Sequence, residues 1–441
     1  MPGPEPSQDR PSQDRPGLRS ALAAFRYRNF TLFWTGALVS NTGVWVQNIT
    51  IPFVVFQLTR SPAWVGFTAF SQLFGAWLTG APGGSLADRH QRRTILIVTQ
   101  SAMAADAFVL WGYWASGGRS PWIIVALSFV SGLLGGLNIG AWQAFVSELV
   151  PREALLNAVT LNSTQFNASR AFGPAVGGLV LAALGPAWSF LINALSYAAV
   201  IGALLAVRVE PRAVTAEHKR ILADLAGTFR YVRRTPGILT CVLVVLSLGA
   251  FGGPLFSLLV VFAEEVFHVS EGQFGVLGAA LGVGAILGTP LVAGWGAGLP
   301  RSRLLGAALI AYGGAVIGFA VAPGYGFAVA ALVVAGAGYL AIASTLNTTI
   351  QLQVDETMRG KVLAFYVMGL TLTLPLGSLL QGWTTEVVGP RETVAVAGVL
   401  FLAANGLLAA HGLLRHVDEE GVADLVPEPV TPEPAEAAAP A

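Results

Sequence analysis

The chain has 441 residues, of which 54% are apolar and only 11% are charged. Soluble domains carry about 25% charged residues, so this composition excludes an ordinary soluble protein and is typical of a membrane protein. The formal net charge of +1 gives no reason to expect a nucleic-acid partner, and the single cysteine, Cys241, excludes a disulfide framework and a cysteine-based metal site.

Twelve apolar stretches follow one another, each long enough to cross a bilayer, which takes about 20 residues. The predicted spans are 30–57, 63–87, 94–115, 121–146, 155–184, 187–207, 238–263, 272–298, 303–322, 325–350, 360–385 and 391–414. The first span begins behind a polar segment and further spans follow it, so we do not expect a cleaved signal peptide. The pattern predicts an all-α membrane protein with twelve transmembrane helices.

Three polar segments lie outside the spans. Residues 1–24 contain a direct repeat of the sequence PSQDR, and residues 416–441 are rich in Glu, Pro and Ala. Neither segment can bury a core, so we predict both to be disordered tails. The linker 209–236 has apolar residues at helical spacing over 221–232, which indicates a helix on the cytoplasmic membrane surface.

The distribution of basic residues tests this topology, because Lys and Arg are enriched in cytoplasmic loops. Of the 25 Lys and Arg residues, only Arg60, Arg119 and Arg391 fall in loops assigned to the outside. Arg170 falls within a span, and the other 21 lie on the cytoplasmic side. We therefore expect a multi-pass protein of the cell (inner or plasma) membrane with both termini in the cytoplasm.

The most informative stretch is 83–93, which lies between the second and third spans and reads GGSLADRHQRR. Positive-inside topology alone would explain its arginines. It does not explain Gly84 and Asp88, four residues apart, because an acid contributes little to orientation.

This stretch resembles the signature loop of the major facilitator superfamily, Gly-x-x-x-Asp-Arg-x-Gly-Arg-Arg. The matching residues are Gly84, Asp88, Arg89, Arg92 and Arg93, with Gln91 where the family usually has Gly. The resemblance runs from about residue 25 to residue 414 and is greatest to the drug and siderophore exporter branch, the enterobactin-exporter-like transporters. It implies two six-helix bundles with a substrate site between them at the middle of the membrane.

In this superfamily the charges of the signature loop bind the ends of neighbouring helices in the outward-open state. The resemblance therefore implies that Arg89 or Arg92 pairs with Glu148, at the end of the fourth span. It also implies that Asp88 faces the positive N-terminus of the eleventh helix near Gly360. The alternative for Glu148 is an ordinary residue at the membrane interface.

The two halves of the chain look like repeats. An offset of 209 residues relates Gly66, Gly75 and Arg92 to Gly275, Gly284 and Arg301, and an offset of 204 relates Gly173 and Gly178 to Gly377 and Gly382. The second copy of the signature loop, 294–303, keeps two arginines but lacks the acid. We predict an N-terminal bundle at 25–208 and a C-terminal bundle at 237–415.

The fifth span contains the sequence Gly-Pro-Ala-Val-Gly-Gly at 173–178. Pro bends a helix and Gly lets a neighbouring helix approach. Gly173, Pro174, Gly177 and Gly178 resemble the Gly-Pro-x-x-Gly-Gly motif of drug–proton antiporters in the superfamily, although Ser169 stands where the longer motif often has Gly. Generic close packing of helices is the alternative.

Two charged residues lie near the middle of spans, Asp106 and Arg170. Each costs about 2.5–3.5 kcal/mol to insert, so each should face the protein interior or water. Asp106 is either a proton-binding carboxylate that drives exchange or a buried neutral acid. One interpretation of Arg170 is a counter-charge, either for an anionic substrate or for a titrating acid. The alternative is a donor to carbonyls freed near Pro174. Related antiporters also carry an Arg in the fourth span, which is absent from 129–145.

Polar and aromatic residues at helical spacing within apolar spans indicate a cavity for a sizeable amphipathic molecule. The candidates are Asn41, Trp45, Gln47, Asn48, Asn138, Trp142, Asn162, Gln165, Asn347 and Gln351. Hydrogen bonds between helices, unrelated to substrate, are the alternative reading.

These features predict a monomeric secondary active transporter that exports a small amphipathic molecule by alternating access, with proton entry and without a metal or other cofactor. An importer or a lipid-moving relative is the alternative within transport. A membrane-embedded enzyme would need clustered His, Cys or carboxylates, whereas the five His are scattered. An ATP-driven pump would need a phosphate-binding Gly-x-x-x-x-Gly-Lys-[Ser/Thr] loop, and this chain contains none. A pump of that kind would therefore need a separate subunit that supplies the loop.

Overall fold

The computed structural model describes residues 22–209 and 221–419, and these ranges contain helices and no strand. Most of the predicted N-terminal tail, part of the linker and most of the C-terminal tail lie outside the described residues. The described start of the C-terminal tail is ordered, because a short 3₁₀-helix spans Leu413–Asp418.

The α-helices are α1 (Arg28–Thr59), α2 (Pro62–Arg89), α3 (Arg92–Ala115), α4 (Pro121–Phe145), α5 (Leu155–Leu184), α6 (Pro186–Ala206), α7 (Ile221–Arg234), α8 (Pro236–Ser247), α9 (Leu255–Val261), α10 (Glu271–Pro290), α11 (Arg301–Ala320), α12 (Tyr325–Gln353), α13 (Glu356–Val388) and α14 (Pro390–Ala410). Single π-turns follow α8, α9 and α10, at Leu248–Gly252, Phe262–Val266 and Leu291–Trp295.

Proline and glycine set several of the helix boundaries. Helices α4, α6, α8 and α14 begin with Pro in the first turn, where its missing N–H would have no helical partner. Gly185, with φ 80°, separates α5 from α6, and Gly389, with φ 100°, separates α13 from α14. Because only Gly adopts such angles without strain, these two positions fix sharp turns between consecutive spans.

Nine helical segments among the described residues are long and apolar enough to cross a membrane. They include one continuous segment, Pro236–Val266, in which α8 and α9 are joined through a π-turn. Helices α1, α2 and α5 have 32, 28 and 30 residues but are not among the nine. The prediction of a multi-pass helical membrane protein is thus supported, while the count of twelve spans stays a prediction.

The chain forms two compact units. Unit 1 comprises Met1–Leu58, Gly75–Ala216 and Ser270–Ala279, and unit 2 comprises Thr59–Phe74, Glu217–Val269 and Ala280–Ala441. These units follow most of the predicted halves. They differ in that the first part of α2 belongs to unit 2 and the first part of α10 belongs to unit 1.

In unit 1, α3 packs against both α4 and α6. The core near the signature loop is aromatic, because the ring of Phe33 lies 4.9 Å from that of Trp142 and 5.4 Å from that of Phe145. These rings fix the relative positions of α1 and α4, and therefore of the residues that follow α4.

In unit 2, α11 packs against α12 and α14. Helix α7 corresponds to the helix predicted in the linker, and it contacts α13 through the rings of Phe229 and Phe365, 6.4 Å apart. The Tyr231 hydroxyl of α7 donates to the Asp355 carboxylate at 3.5 Å, and burial raises the pKa of Tyr231. The side of the membrane on which α7 lies stays a prediction.

Candidate functional site

The signature loop is the junction between α2 and α3 in unit 1. Asp88 and Arg89 occupy the last turn of α2 and are exposed, and α3 begins at Arg92. Gln91, which replaces the usual Gly, has φ −60° and ψ 115°. The turn therefore requires no left-handed residue here, so the departure from the family pattern causes no backbone strain.

Arg92 binds the end of α4 and the residues that follow it. Its Nη1 donates to Glu148 Oε1 at 3.1 Å and to the Ala144 carbonyl at 3.0 Å. The side chains of Arg92 and Glu148 are 12% and 18% exposed. Of the two predicted pairings with Glu148, the structure contains that of Arg92.

Arg93 binds the end of a different helix. Its Nε donates to the Leu204 carbonyl at 2.7 Å, and its Nη2 donates to the Leu205 carbonyl at 3.0 Å. A cation at the C-terminus of α6 satisfies carbonyls that lack helical partners and complements the helix dipole. The predicted partner of Asp88, near Gly360, belongs to unit 2, so that pairing stays a prediction.

Close helix contacts support the loop. A Cβ added to Gly83 would lie 2.7 Å from the Gly136 carbonyl oxygen, and one added to Gly140 would lie 2.9 Å from the Cα of Gly84. The backbones of α2 and α4 therefore touch where the loop begins. The sequence predicted a role for Gly84 but not for Gly83 and Gly140. The available signal was only that these positions are glycine, because the contacts between α2 and α4 are visible only in the structure.

Asp106 lies in the interior of unit 1. It is 8% exposed, and its Oδ1 is buried without a hydrogen-bond partner among the described residues. Tyr197 of α6 is buried close enough to Asp106 for the two groups to interact electrostatically, and Asn193 lies one turn before Tyr197 on the same helix. Asn193 Nδ2 in turn donates to Gln47 Oε1 of α1 at 2.7 Å.

These four polar side chains form one buried group, which we call the Asp106 cluster: Gln47, Asp106, Asn193 and Tyr197. The cluster joins α1, α3 and α6 inside an otherwise apolar region. Sequence reasoning identified Gln47 and Asp106 but missed Asn193 and Tyr197. Asn193 could have been found as an amide within an apolar span, whereas Tyr197 had no distinguishing signal.

Arg170 has a different environment, because it is exposed on α5. The structure therefore leaves the two predicted coupling residues in dissimilar surroundings, one buried and one exposed.

The Gly-Pro motif of α5 packs closely against α1 and the start of α10. A Cβ on Gly173 would overlap the side chain of Trp45, and one on Gly177 would lie 3.0 Å from the Cα of Val46. Pro174 accommodates Gly278, whose added Cβ would lie 2.8 Å from the proline ring. The motif thus packs α5 against α1 and against the start of α10, all within unit 1.

The repeat offsets relate one glycine contact in unit 1 to one in unit 2. In unit 1 a Cβ on Gly178 would lie 2.5 Å from the Cα of Gly275. In unit 2 a Cβ on Gly382 would lie 2.8 Å from the Cα of Gly66. The two contacts are equivalent under the predicted repeat, which gives the sequence offsets a structural meaning.

Several predicted cavity residues make hydrogen bonds between helices. Asn138 Oδ1 accepts from Thr99 Oγ1 at 2.9 Å and from Gln100 Nε2 at 3.3 Å. Asn41 Nδ2 donates to Gln165 Oε1 at 3.3 Å. For these residues the alternative reading, bonds that tie helices together, accounts for the observed contacts.

The remaining predicted cavity residues are more accessible. Asn347 and Gln351 are exposed on α12 and hydrogen-bond each other at 2.5 Å. Trp45, Asn48, Trp142 and Asn162 are partly buried, and Asn162 Oδ1 is buried without a hydrogen-bond partner among the described residues. These side chains can still face a substrate.

Unit 2 contains a pocket of about 410 Å³ that sequence reasoning did not predict. Apolar side chains and four hydroxyl groups line it, together with Arg301 at the start of α11. Its lining residues are Thr289, Val292, Ala293, Gly296, Leu299, Arg301, Leu304, Leu340, Ser344, Thr345 and Thr348. Hydroxyl residues repeated within one apolar helix, as at 344, 345 and 348, were the available signal.

The segment after α14 folds against the start of α11 in unit 2. Asp418 Oδ1 accepts from the Ser302 N–H at 2.9 Å, and Arg301 Nη2 donates to the carbonyls of Asp418 and Glu419 at 3.0 and 3.2 Å. Asp418 thereby supplies an acid to the second copy of the signature loop, which has none of its own. In the described ranges, no group of three or more His, Cys, Asp or Glu is arranged to hold a metal ion.

The sequence profile of the family described as transmembrane secretion effector matches residues 19–438. The chain belongs to this family. Transmembrane secretion effectors are major facilitator transporters and not enzymes. The expected superfamily is therefore confirmed, and with it a small-molecule substrate and embedding in a membrane.

Two curated relatives of this transmembrane secretion effector are named for export. The enterobactin exporter EntS of Shigella flexneri is 25% identical over 389 residues, which cover 86% of this chain and 90% of the relative. The multidrug efflux pump Tap of Mycobacterium tuberculosis is 24% identical over 412 residues, which cover 88% of this chain and 94% of the relative. The similarity to these two relatives extends along nearly the whole chain.

A solved structure has the same fold. The bacterial homologue of the human lysosomal transporter Spinster, in its inward-facing and unoccupied conformation, matches with a TM-score of 0.66 at 17% identity. The match covers 90% of this chain and 97% of that one. The likeness establishes the major facilitator fold for this transmembrane secretion effector.

Proposed function

We propose that this transporter exports a small amphipathic molecule, such as a drug, siderophore or secondary metabolite, across the bacterial plasma membrane by secondary active transport. The observation that carries the proposal is the similarity, over 86% and 88% of the chain, to relatives named for export. Since the sequence has no phosphate-binding loop for ATP, an ion gradient is the energy source that the chain itself can use.

Protons are the proposed coupling ion, and Asp106 is their proposed carrier. A carboxylate in the bilayer interior costs about 2.5–3.5 kcal/mol, which makes Asp106 a candidate for a functional role. Because Oδ1 of Asp106 has no hydrogen-bond partner among the described residues, the charged form is poorly stabilised. Gain or loss of the proton changes the electrostatic interaction with Tyr197 of α6, and Asn193, one turn away on the same helix, donates to Gln47 of α1.

The Arg92–Glu148 pair is the proposed latch of an alternating-access cycle. The side chains of Arg92 and Glu148 are only 12% and 18% exposed, and a contribution of about 1 kcal/mol, the upper end for surface ion pairs, is enough to bias a switch between two states of nearly equal energy. The contact ties the start of α3 to the residues after α4, so its formation favours one arrangement of these helices. The exposed residue Asp88 is the proposed second contact of the same latch.

The proposed topology has twelve spans, with both termini in the cytoplasm. It puts the signature loop and the start of α11 on the cytoplasmic side, and Arg60 on the outside. In this arrangement the motif of α5 supports exchange, and the polar residues of α1, α4, α5 and α12 contribute to the substrate cavity. Arg170, exposed on α5, is the proposed contact for an anionic group of the substrate. We propose that the monomer is the functional unit.

Everted membrane vesicles with an acidic interior test the proposal, with siderophores and amphipathic dyes added outside. We expect vesicles that contain the protein to accumulate at least one of these compounds, and a protonophore to abolish the accumulation. Vesicles without the protein are the control. Accumulation that persists in the protonophore would exclude proton coupling, and accumulation only in vesicles of the opposite orientation would indicate import.

A further inference from the structure

The start of α2 lacks one half of the helix cap that α10, its counterpart in the repeat, has. Ser270, which precedes α10, donates its N–H and its hydroxyl to Gln273 Oε1 at 3.1 and 3.2 Å, and it accepts from the Gln273 N–H at 3.5 Å. This reciprocal arrangement is a capping box, which satisfies N–H groups that a helix start leaves free.

The equivalent positions before α2, 209 residues earlier, are Ser61 and Trp64. Ser61 Oγ still accepts from the Trp64 N–H at 3.4 Å. An indole offers no hydrogen-bond acceptor, so Trp64 cannot return a bond as Gln273 does. One half of the capping box is therefore missing from the sequence of α2.

Two other side chains accept from the donors at the start of α2. Thr59 Oγ1 accepts from the Ser61 N–H at 3.3 Å, and a carboxylate from α13 accepts from two further donors. Glu386 Oε2 accepts from Ser61 Oγ at 2.6 Å and from the Ala63 N–H at 3.3 Å. A negative charge at a helix N-terminus also complements the helix dipole. All these residues belong to unit 2, and the sequence distance of more than 300 residues hid the contact from local sequence reasoning.

The backbones of the two helices touch beside this cap. A Cβ on Gly382 would lie 2.9 Å from the Pro62 carbonyl oxygen, as well as close to Gly66. Nearby, Arg60 Nη1 pairs with Glu264 Oε2 at 3.3 Å, but the Arg60 side chain is 65% exposed, so this pair adds little. The contacts of Glu386 therefore give the junction of α2 and α13 directed hydrogen bonds.

We infer that Glu386 is a positioning residue, which holds the start of α2 against the end of α13 by accepting from the Ser61 hydroxyl and the Ala63 N–H. We call this contact the seat of α2 on α13. The inference rests on the proposed function for its consequence. If alternating access separates these two segments, each cycle must break and remake the cap. Glu386 then controls how often the segments separate, without contacting the substrate.

Thiol labelling of the purified full-length protein in detergent tests the seat without a substrate. Val65, 1% exposed beside the cap, is replaced by Cys in a Cys241→Ala background. We expect Glu386→Ala to raise the rate at which a maleimide labels position 65 by about tenfold, which corresponds to about 1.4 kcal/mol in the opening equilibrium. Glu386→Gln keeps an acceptor oxygen, so its labelling rate should stay near that of the parent.

A rescue variant separates a seat from an ordinary helix cap. Trp64→Gln added to Glu386→Ala restores the capping box within α2, so it should recover thermal stability but leave the fast labelling. Gln273→Ala, which removes the cap of α10 alone, is the matched control and should not change labelling at position 65. Unchanged labelling in Glu386→Ala, or slow labelling restored by Trp64→Gln, would overturn the inference.

Transport assays then connect the seat to the cycle. We expect Glu386→Ala to change the maximal rate of export while KM stays within about twofold, because the residue does not bind substrate. Equal losses in maximal rate and substrate affinity would contradict a positioning role. If the parent protein exports nothing, the proposed function fails, whereas the labelling result still decides the seat.

Discussion

Nη1 of Arg92 lies 3.1 Å from Oε1 of Glu148 and 3.0 Å from the carbonyl oxygen of Ala144. One guanidinium nitrogen thus binds both the acid after α4 and the last turn of α4 itself. The pair is only partly exposed, which limits its screening by water and salt. This contact is the observation on which the proposed latch rests.

The latch predicts a measurable coupling between the two side chains. In a double-mutant cycle of Arg92→Gln and Glu148→Gln, we expect an interaction free energy of about 1 kcal/mol in thermal unfolding in detergent. Each single variant should also slow transport, because the arrangement that the pair favours becomes less populated.

Glu153→Gln is the matched control for this cycle, since Glu153 is exposed on the short helix that follows Glu148. It should leave both unfolding and transport unchanged. Strict additivity of the Arg92 and Glu148 substitutions, with wild-type transport in both, would mean that the contact is an ordinary interfacial ion pair.

Asp88→Asn tests the acid of the same loop. The substitution keeps the size of the side chain but removes the charge that the proposed contact with a helix N-terminus needs. We expect slower turnover with an unchanged range of substrates, measured as initial rates for several exported compounds. Wild-type turnover would show that the loop sets only the topology.

The sequence predicted this loop well because its charges occupy adjacent positions with a recognisable spacing. The Arg92–Glu148 pair could be anticipated from the resemblance and from the end of the fourth span. The choice between Arg89 and Arg92 could not, because it depends on which way the first turn of α3 points.

Other features depended on contacts between distant segments, which the sequence does not display. Gln47 was expected in a substrate cavity, but it bonds Asn193 inside unit 1. The second copy of the signature loop, 294–303, contains no acid, but Asp418 supplies one from more than 100 residues away. Only the three-dimensional packing brings such residues together.

The glycine contacts predict a steric effect. Gly178→Ala would put a Cβ 2.5 Å from the Cα of Gly275, so α5 and α10 must move apart. Overpacking of this kind costs about 1–3 kcal/mol, which we expect as a lower unfolding temperature and reduced transport. Gly112→Ala, where nothing lies within 4 Å of the added Cβ, is the control and should be neutral. Equal effects of the two substitutions would contradict a specific contact.

The C-terminal segment predicts a capping effect at α11. Asp418→Ala removes the acceptor for the Ser302 N–H and should lower the free energy of unfolding by about 0.5–2 kcal/mol. Asp418→Asn keeps the Oδ1 acceptor and should retain most of the stability. Glu419→Ala leaves its backbone carbonyl in place and removes only the exposed contact of its side chain with His416, so it shows how much of the effect comes from other side chains of this segment. If Asp418→Ala unfolds at the wild-type temperature, the segment does not hold the start of α11.

The proposed mechanism requires that protons drive export through Asp106. The most direct measurement follows proton movement and substrate movement together, in proteoliposomes that contain the wild-type protein or Asp106→Asn, at equal folded content verified by thermal unfolding. We expect the wild type to move substrate against its gradient with an opposite flow of protons. Asp106→Asn should carry substrate only down its gradient, with no associated proton flow. Proton-coupled transport at the wild-type level in Asp106→Asn would show that Asp106 does not carry the coupled protons.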